Sequence, residues 1–487
     1  MISHFSRLDW AIVLIYISAT CSLAIYMKSR VKSMLDFVCA GRHIGLFLGI
    51  ASMAGTEMGL ITIMYSAEKG FQGGFAAFHI ALVAGIITLI VGLTGFIVEP
   101  LRQHQVLTIP EYYEKRFGKS TRILGGLLLA LGGILNMGLF LKVGALFIIH
   151  ITGIGTHLTP IVMSILLVIV LLYTCFGGMV SVILTDYLQF VLLSMGLLLS
   201  IFLSITTLGW DTIINTVTEQ LGESGFNPFS QSGEFGWSYV IWMAITAGLV
   251  SCAIWPTAVA RTLALKKVSD VKKQYLWSSI SFMIRFLLPN FLGICAFVYF
   301  SNLGESSTAL SGLPQYLGQL LPTGLLGLVV AAMIAAFMST HDSYLLCWSS
   351  VITQDIIAPL LPLNDQQKIK LTRFIIIIIG LYIWYWGLFY EGSDAIWDYL
   401  AITGAIYFTG AIAILVGGLY WKKANQRGAQ AALIVGCSAL LGLSPIKHAV
   451  GLGHWSGANI GLLTVILTCV AMGIGSILFP DQKELKS

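Results

Sequence analysis

The stretch Ala331-Ala332-Met333-Ile334-Ala335-Ala336-Phe337-Met338-Ser339-Thr340-His341-Asp342-Ser343 lies inside an apolar run over about 321–346. A run of that length reads as a membrane-spanning helix, which needs about 20 apolar residues. Its residues are mostly small until hydroxyls and a carboxylate arrive together. At helical spacing Ala336, Ser339, Thr340 and Ser343 share one face, because residues three and four apart are neighbours. Oxygen atoms so placed, beside an alanine that leaves room, suit a small hard cation. The alternative is plainer: small residues permit close helix packing, and Ser and Thr bond back to the carbonyl at i−4. Asp342 tips the reading towards function, since a carboxylate at membrane depth is costly and marks a site by default.

The rest of the chain agrees with a membrane setting. Of 487 residues, 57% are hydrophobic and 10% charged, against about 25% charged in soluble globular proteins; mean hydropathy is +0.87. This is the composition of an all-α polytopic membrane protein, with the lipid bilayer as its main partner. The net charge of +5 sits in short loops between apolar runs and gives no reason to expect nucleic acid. Cys21, Cys39, Cys175, Cys252, Cys295, Cys347, Cys437 and Cys469 fall mostly within apolar segments and form no CxxC motif. They read as small buried hydrophobes rather than a disulfide framework or metal site. The first apolar run ends near Met27 and is followed by Lys28-Ser29-Arg30, not by a small-residue cleavage site, so it is expected to be a retained helix.

Thirteen spans are expected, near 8–27, 44–66, 75–98, 122–150, 158–176, 179–205, 236–260, 275–300, 321–346, 370–390, 396–421, 429–445 and 459–479. Lysine and arginine placement tests that count. With the N-terminus outside, the inner loops hold Lys28, Arg30, Lys32 and Arg42, then Arg102, Lys115, Arg116, Lys119 and Arg122, then Arg261, Lys266, Lys267, Lys272 and Lys273. Further on they hold Lys368, Lys370, Arg373, Lys422, Lys423, Arg427, Lys483 and Lys486, while the outer segments keep only Arg7, Lys69 and Lys447. The loop 206–235 has Asp211, Glu219, Glu223 and Glu234 and no Lys or Arg. A multi-pass protein of the plasma or inner membrane follows, N-terminus outside and C-terminus cytoplasmic.

Two spans carry interruptions. Ser52-Met53-Ala54-Gly55-Thr56-Glu57-Met58-Gly59 has two helix-weakening glycines around an acidic residue, and Gly248-Leu249-Val250-Ser251-Cys252 is followed by Pro256. Interrupted helices at corresponding places in two halves point to an inverted-repeat transporter, whose unwound carbonyls hold an ion. Ordinary Gly/Pro kinking is the competing account.

Several separate stretches resemble one family, the sodium/solute symporters: sodium-coupled carriers for sugars, proline, pantothenate, choline, sialic acid and monocarboxylates. They are Thr108-Ile109-Pro110-Glu111-Tyr112-Tyr113-Glu114-Lys115-Arg116-Phe117-Gly118, and Gly177-Gly178 with Thr185-Asp186 and Gln189. Arg261-Thr262-Leu263-Ala264 with Val268-Ser269, the stretch Ala335 to Ser343, and Gly418-Leu419, Lys423, Gly428-Ala429 and Ala432-Leu433 complete the set. They occur in family order across about 40–435. The resemblance implies the leucine-transporter fold within a single membrane transport domain, 1–487. Five helices over 44–205 would be repeated in inverted orientation over 236–421, after a leading helix at 8–27 and before two helices within 429–479.

By motif position the resemblance implies a sodium site from the carbonyls of Gly55 and Met58, the Ala336 carbonyl and the Ser339 and Thr340 hydroxyls. Neutral oxygen ligands suit a hard ion that must also leave. A second cation site in some members would use Asp186, Ser339, Asp342 and Ser343. Those members often have a hydroxyl where this chain has Asp342, which leaves a proton-carrying role or pairing with a base such as Lys142 or Arg285 open. Glu57 matches an acidic position of the proline-carrier branch; capping the exposed amides of a broken helix is its structural alternative.

Substrate candidates at midplane are Thr56, Glu57, Gly59 and Thr62; His79 and Ala81; Asn136 and Lys142; Ser251 and Trp255; and Arg285. Ala81 stands where some sugar and sialic-acid carriers have a polar residue, which disfavours a polyhydroxylated substrate. Lys142 and Arg285 favour an anionic group if they face the cavity, and His79 reads better as a packing residue. The expectation is therefore sodium-coupled symport of a small organic solute (amino acid, carboxylate or vitamin-like) by alternating access. Proton coupling through Glu57 or Asp342 is the alternative within the fold. A non-transporting sensor is disfavoured by the roughly eight residues after the last span. No nucleophile elbow, HExxH or Cys/His metal set suggests an enzyme, and no obligate protein partner is expected.

Overall fold

The computed structural model describes the backbone of residues 5–27, 35, 40–230, 233–305, 307–390 and 395–480, and the side chains of these except residues 21, 23–27, 40, 173 and 176–188. Among the described residues there is no β-strand, only a bridge between Ile44 and Leu265, and nine helical stretches are long and apolar enough to cross a membrane.

The leading helix α1 (Arg7–Met27) precedes a broken pair, α2 (Leu46–Glu57) and α3 (Leu60–Gly73). Between them Met58 (φ −96°, ψ 57°) and Gly59 (φ −79°, ψ 165°) leave helical geometry. The break falls at the second of the two predicted glycines, while Gly55 remains helical. There follow α4 (Phe78–Thr94), a short amphipathic α5 (Ile109–Phe117), α6 (Lys119–Met137) and α7 (Phe140–Thr152). Thr108 caps α5 by accepting from the Glu111 amide, and Pro110 sits in the first turn, where a missing N–H costs nothing.

Helix α8 runs from Thr159 to Leu208, 50 residues. The two spans expected over 158–176 and 179–205 are therefore not separated by a break in helical backbone. A glycine inside a helix costs only about 1 kcal/mol, so Gly177-Gly178 is insufficient to interrupt it. Fifty residues make about 75 Å of helix, more than twice the roughly 30 Å of a hydrocarbon core.

Helix α9 (Trp210–Leu221) lies in the acidic loop. The second interrupted span is α10 (Trp237–Met243), a π-helical segment Ala244–Ile254, and α11 (Pro256–Leu263). Its cause is local. Pro256 has no N–H and pushes the preceding residue out of helical space; Trp255 sits at φ −71°, ψ 128°, and its amide reaches the Val250 carbonyl at 2.7 Å.

The chain continues with α12 (Asp270–Leu303), α13 (Ala309–Leu320), and α14 (Leu325–Val351) extended by a π-turn to Ile357. Helices α15 (Asp365–Phe389), α16 (Ile396–Tyr420), α17 (Gln426–Gly436) and α18 (Gly457–Leu478) complete it. The span expected at 429–445 is instead an 11-residue helix continued by a six-residue 3-10 turn, Cys437–Gly442. Together they make about 28 Å at the rises of the two helix types, close to the roughly 30 Å of a hydrocarbon core.

Helices α14 and α16 occupy the centre: 89% of the most apolar window of each is buried in protein, against 39% for α15 and for α18. Small residues bring α3 against α12. A Cβ on Gly70 would collide with the Asn290 backbone, and one on Gly293 with the Ala67 backbone, so the two helices touch main chain to main chain.

Candidate functional site

A cavity of about 90 Å³ opens where the two interrupted helices face α14, α12 and α16. One water needs about 10–15 Å³ of such space, so it holds about six to nine waters or one compact solute. Of the predicted residues, Thr56, Glu57, Thr62, Asn136, Ser251, Trp255, Arg285 and Thr340 all line it. Aromatic groups bracket it. Tyr65 and Trp397 meet at 4.6 Å on the side of loop 206–235; opposite, Trp255 donates to the Tyr344 hydroxyl at 2.8 Å, and Tyr344 packs on Phe140.

The wall carries a charged pair. Arg285 Nη1 lies 2.5 Å from Glu57 Oε2, and Arg285 Nη2 donates to Ser251 at 2.6 Å. Thr257 donates to Glu57 Oε1 at 2.9 Å, and Phe282 and Phe286 flank the guanidinium at 4.1 and 4.6 Å. Each charge is thus held by a hydroxyl as well as by its partner, the condition under which a buried pair is tolerated. Arg285 Nε and Trp397 Nε1 have no hydrogen-bond partner among the described residues.

The two halves of the predicted sodium site meet. A Cβ on Gly59 would collide with Thr340 Oγ1, so only glycine lets the break approach α14 this closely. Thr340 donates to the Ala336 carbonyl at 3.0 Å, which leaves its oxygen lone pairs available. Ser339 is fully buried. At the α2 end the Ala54 carbonyl takes the Met58 amide, and the Glu57 carbonyl takes the Thr62 hydroxyl at 3.1 Å. The Gly55 carbonyl belongs to the last turn, where helical partners run out. The donor set fits a sodium ion.

The predicted second cation site looks different. Asp342 and Ser343 are fully buried and bond at 3.1 Å, but Arg261 Nη2 donates to Ser343 at 2.6 Å. A guanidinium already stands where a second cation was expected. The Asp186 side chain lies outside the described residues.

Four substrate candidates do not line the cavity. Gly59 serves the contact with Thr340. His79 bonds the Ala76 carbonyl at 2.7 Å and packs on Phe235, the packing role expected of it. Ala81 is buried on α4 away from the cavity. Lys142 donates to the Tyr390 carbonyl at 2.8 Å. Arg261 and Lys69, assigned above to loops, are each only 1% exposed. Lys69 bridges Glu234 at 3.1 Å and Asp398 at 3.4 Å, tying α3 to the segment before α10 and to the start of α16. Tyr65, Thr246, Thr257 and Tyr344 were missed as site residues; single Thr and Tyr residues in apolar runs give no periodic signal.

The sequence model of the sodium:solute symporter family matches residues 37–436. The chain belongs to the sodium:solute symporter family. Sodium is therefore the coupling ion, and the protein is a multi-pass membrane transporter. Curated relatives include sodium/glucose cotransporter 4 of Danio rerio, 26% identical over 88% of this chain and 70% of its own length. Another is the sodium/sialic acid symporter SiaT of Proteus mirabilis, 25% identical over 99% of this chain and 97% of its own. Among solved structures, a substrate-bound, outward-open sodium-coupled sialic acid symporter superposes with a TM-score of 0.81. It is 21% identical, covering 98% of this chain and 100% of that one. At that identity the likeness bears on fold alone, and it makes this symporter leucine-transporter-like.

Proposed function

We propose that this symporter carries a small zwitterionic solute, amino-acid-like in size and charge, inward with sodium. The supporting observation is the Arg285–Glu57 pair on the cavity wall. A solute bearing both a carboxylate and an ammonium group can exchange that internal pair for two intermolecular ones at unchanged net charge. A singly charged solute leaves one buried charge unpartnered, a loss of about 3–5 kcal/mol. The 90 Å³ cavity favours a solute of a few heavy atoms. Sodium occupies the Gly55, Met58, Ala336, Ser339 and Thr340 oxygens, behind the solute. Its binding favours the arrangement in which α2, α3 and α14 meet, and so shifts the population towards solute binding. Inverted repeats over 44–205 and 236–421, with the N-terminus outside and the C-terminus cytoplasmic, would supply the two faces that alternate.

A second reading rests on the same pair. Glu57 and Arg285 already satisfy each other, so a neutral hydroxylated solute could bind Thr56, Thr62, Asn136 and Ser251 without breaking them apart. Uptake into proteoliposomes under an inward sodium gradient separates the two. Zwitterionic amino acids stimulated by sodium over potassium support the first reading; uptake of neutral polyols alone supports the second; proton-driven uptake indifferent to sodium overturns both.

A further inference from the structure

Away from the substrate cavity, a groove of about 800 Å³ runs between α2, α8 and α12 on the membrane-facing side of the bundle. Its walls include Leu46, Phe47, Ile50, Met58, Trp277 and Leu288, and among the described residues Ser194 and Ser281 are its only hydroxyl residues. Phe47 and Trp277 are 72% and 59% exposed. Along α2 the groove extends from Leu46 to Met58, about 18 Å of helix, slightly more than one leaflet's share of a 30 Å hydrocarbon core.

Its open end is basic. Lys266 donates its amide to the Ile44 carbonyl at 2.8 Å, which fixes residue 266 beside the start of α2. Lys273 stands one turn before Trp277 on the same face of α12. Lys266, Lys267 and Lys273 are exposed and have no acidic partner among the described residues, whereas Lys272 pairs with Glu99 at 3.2 Å.

An apolar slot one leaflet deep with ammonium groups at its mouth matches an anionic phospholipid in both parts. We propose that this groove binds an anionic phospholipid, one acyl chain lying along α2 as far as Met58 and the phosphate held by Lys266, Lys267 and Lys273. The chain terminates behind Met58, whose carbonyl is proposed above as a sodium ligand, and so braces the last turn of α2.

Trp277 reports on the groove directly. The full chain in phosphatidylcholine nanodiscs is titrated with phosphatidylglycerol or phosphatidylcholine carrying brominated acyl chains, and the Trp277 contribution is the difference from Trp277→Phe. Quenching of that component is expected at a several-fold lower mole fraction of the glycerol lipid. Ser194→Phe, which fills the groove, is expected to remove the quenching. The triple variant K266E/K267E/K273E, which alters only exposed positions, is expected to remove the preference between lipids. Equal quenching by both lipids, unchanged by lysine reversal, would overturn the proposal by showing ordinary boundary lipid. So would a Trp277 that neither lipid quenches, because a second copy covers the groove.

Discussion

Arg285 on α12 reaches Glu57 at the end of α2 across 2.5 Å, although 228 residues separate them in the chain. The contact ties the break in the first interrupted helix to a helix of the other half. Removing one partner leaves the other charge buried and unpaired, at a cost of about 3–5 kcal/mol, whereas removing both does not. Glu57→Gln and Arg285→Gln are each expected to lower the melting temperature more than the double variant does. Thermal melts of the four proteins give the coupling; additive losses would show that the pair is not energetically joined.

Gly59 is expected to be irreplaceable for sodium binding. A methyl group there meets Thr340 Oγ1, so Gly59→Ala must push the helix break away from α14. Direct binding of radioactive sodium to purified Gly59→Ala should fall at least tenfold. Unaltered binding would show that these two walls do not form the site.

Lys69 fastens the side of the cavity that carries Tyr65 and Trp397. Glu234 and Asp398 are each more than a third exposed, so water can solvate them once Lys69 is gone. Lys69→Met should therefore cost little stability yet loosen the closure. A cysteine replacing Ala401, which lines the cavity, is expected to react several-fold faster with an impermeant maleimide in the Lys69→Met background. No change in labelling rate would remove Lys69 from any gating role.

Gly293 is a packing position. Its missing Cβ is what lets α12 lie on the Ala67 backbone, and Gly293→Val overfills that contact. A loss of about 1–3 kcal/mol is expected, the usual cost of overpacking, measured as a lowered melting temperature. A neutral result would mean that the α3–α12 contact is loose.

The legible parts of this molecule were those with local causes. Gly59 and Pro256 interrupt their helices through their own backbone chemistry, and the hydroxyl face of α14 follows from helical spacing. Contacts between distant segments were illegible. Lys69 and Arg261 resembled loop charges because their partners, Glu234, Asp398 and Ser343, lie far along the chain. Lys142 and Ala81 were assigned to the cavity from their spans and from the family resemblance. One residue of register turns a side chain by about 100°, and nothing in an apolar run fixes that register. The continuity of α8 was missed for the opposite reason: the glycine pair was a real local signal, but too weak by itself to break the helix.

Sodium binding at the junction of Gly55, Met58, Ala336, Ser339 and Thr340 is the claim on which the transport account rests, and it can be measured without knowing the solute. The melting temperature of the purified protein is compared in sodium, potassium and choline chloride, for the wild type and for Ser339→Ala/Thr340→Ala. At sodium a hundredfold above its Kd, binding adds about 2.7 kcal/mol to the folded state, so the wild type should melt several degrees higher in sodium alone. The double variant should melt at one temperature in all three salts. A sodium-specific rise that survives in the double variant, or is absent from the wild type, would contradict the account.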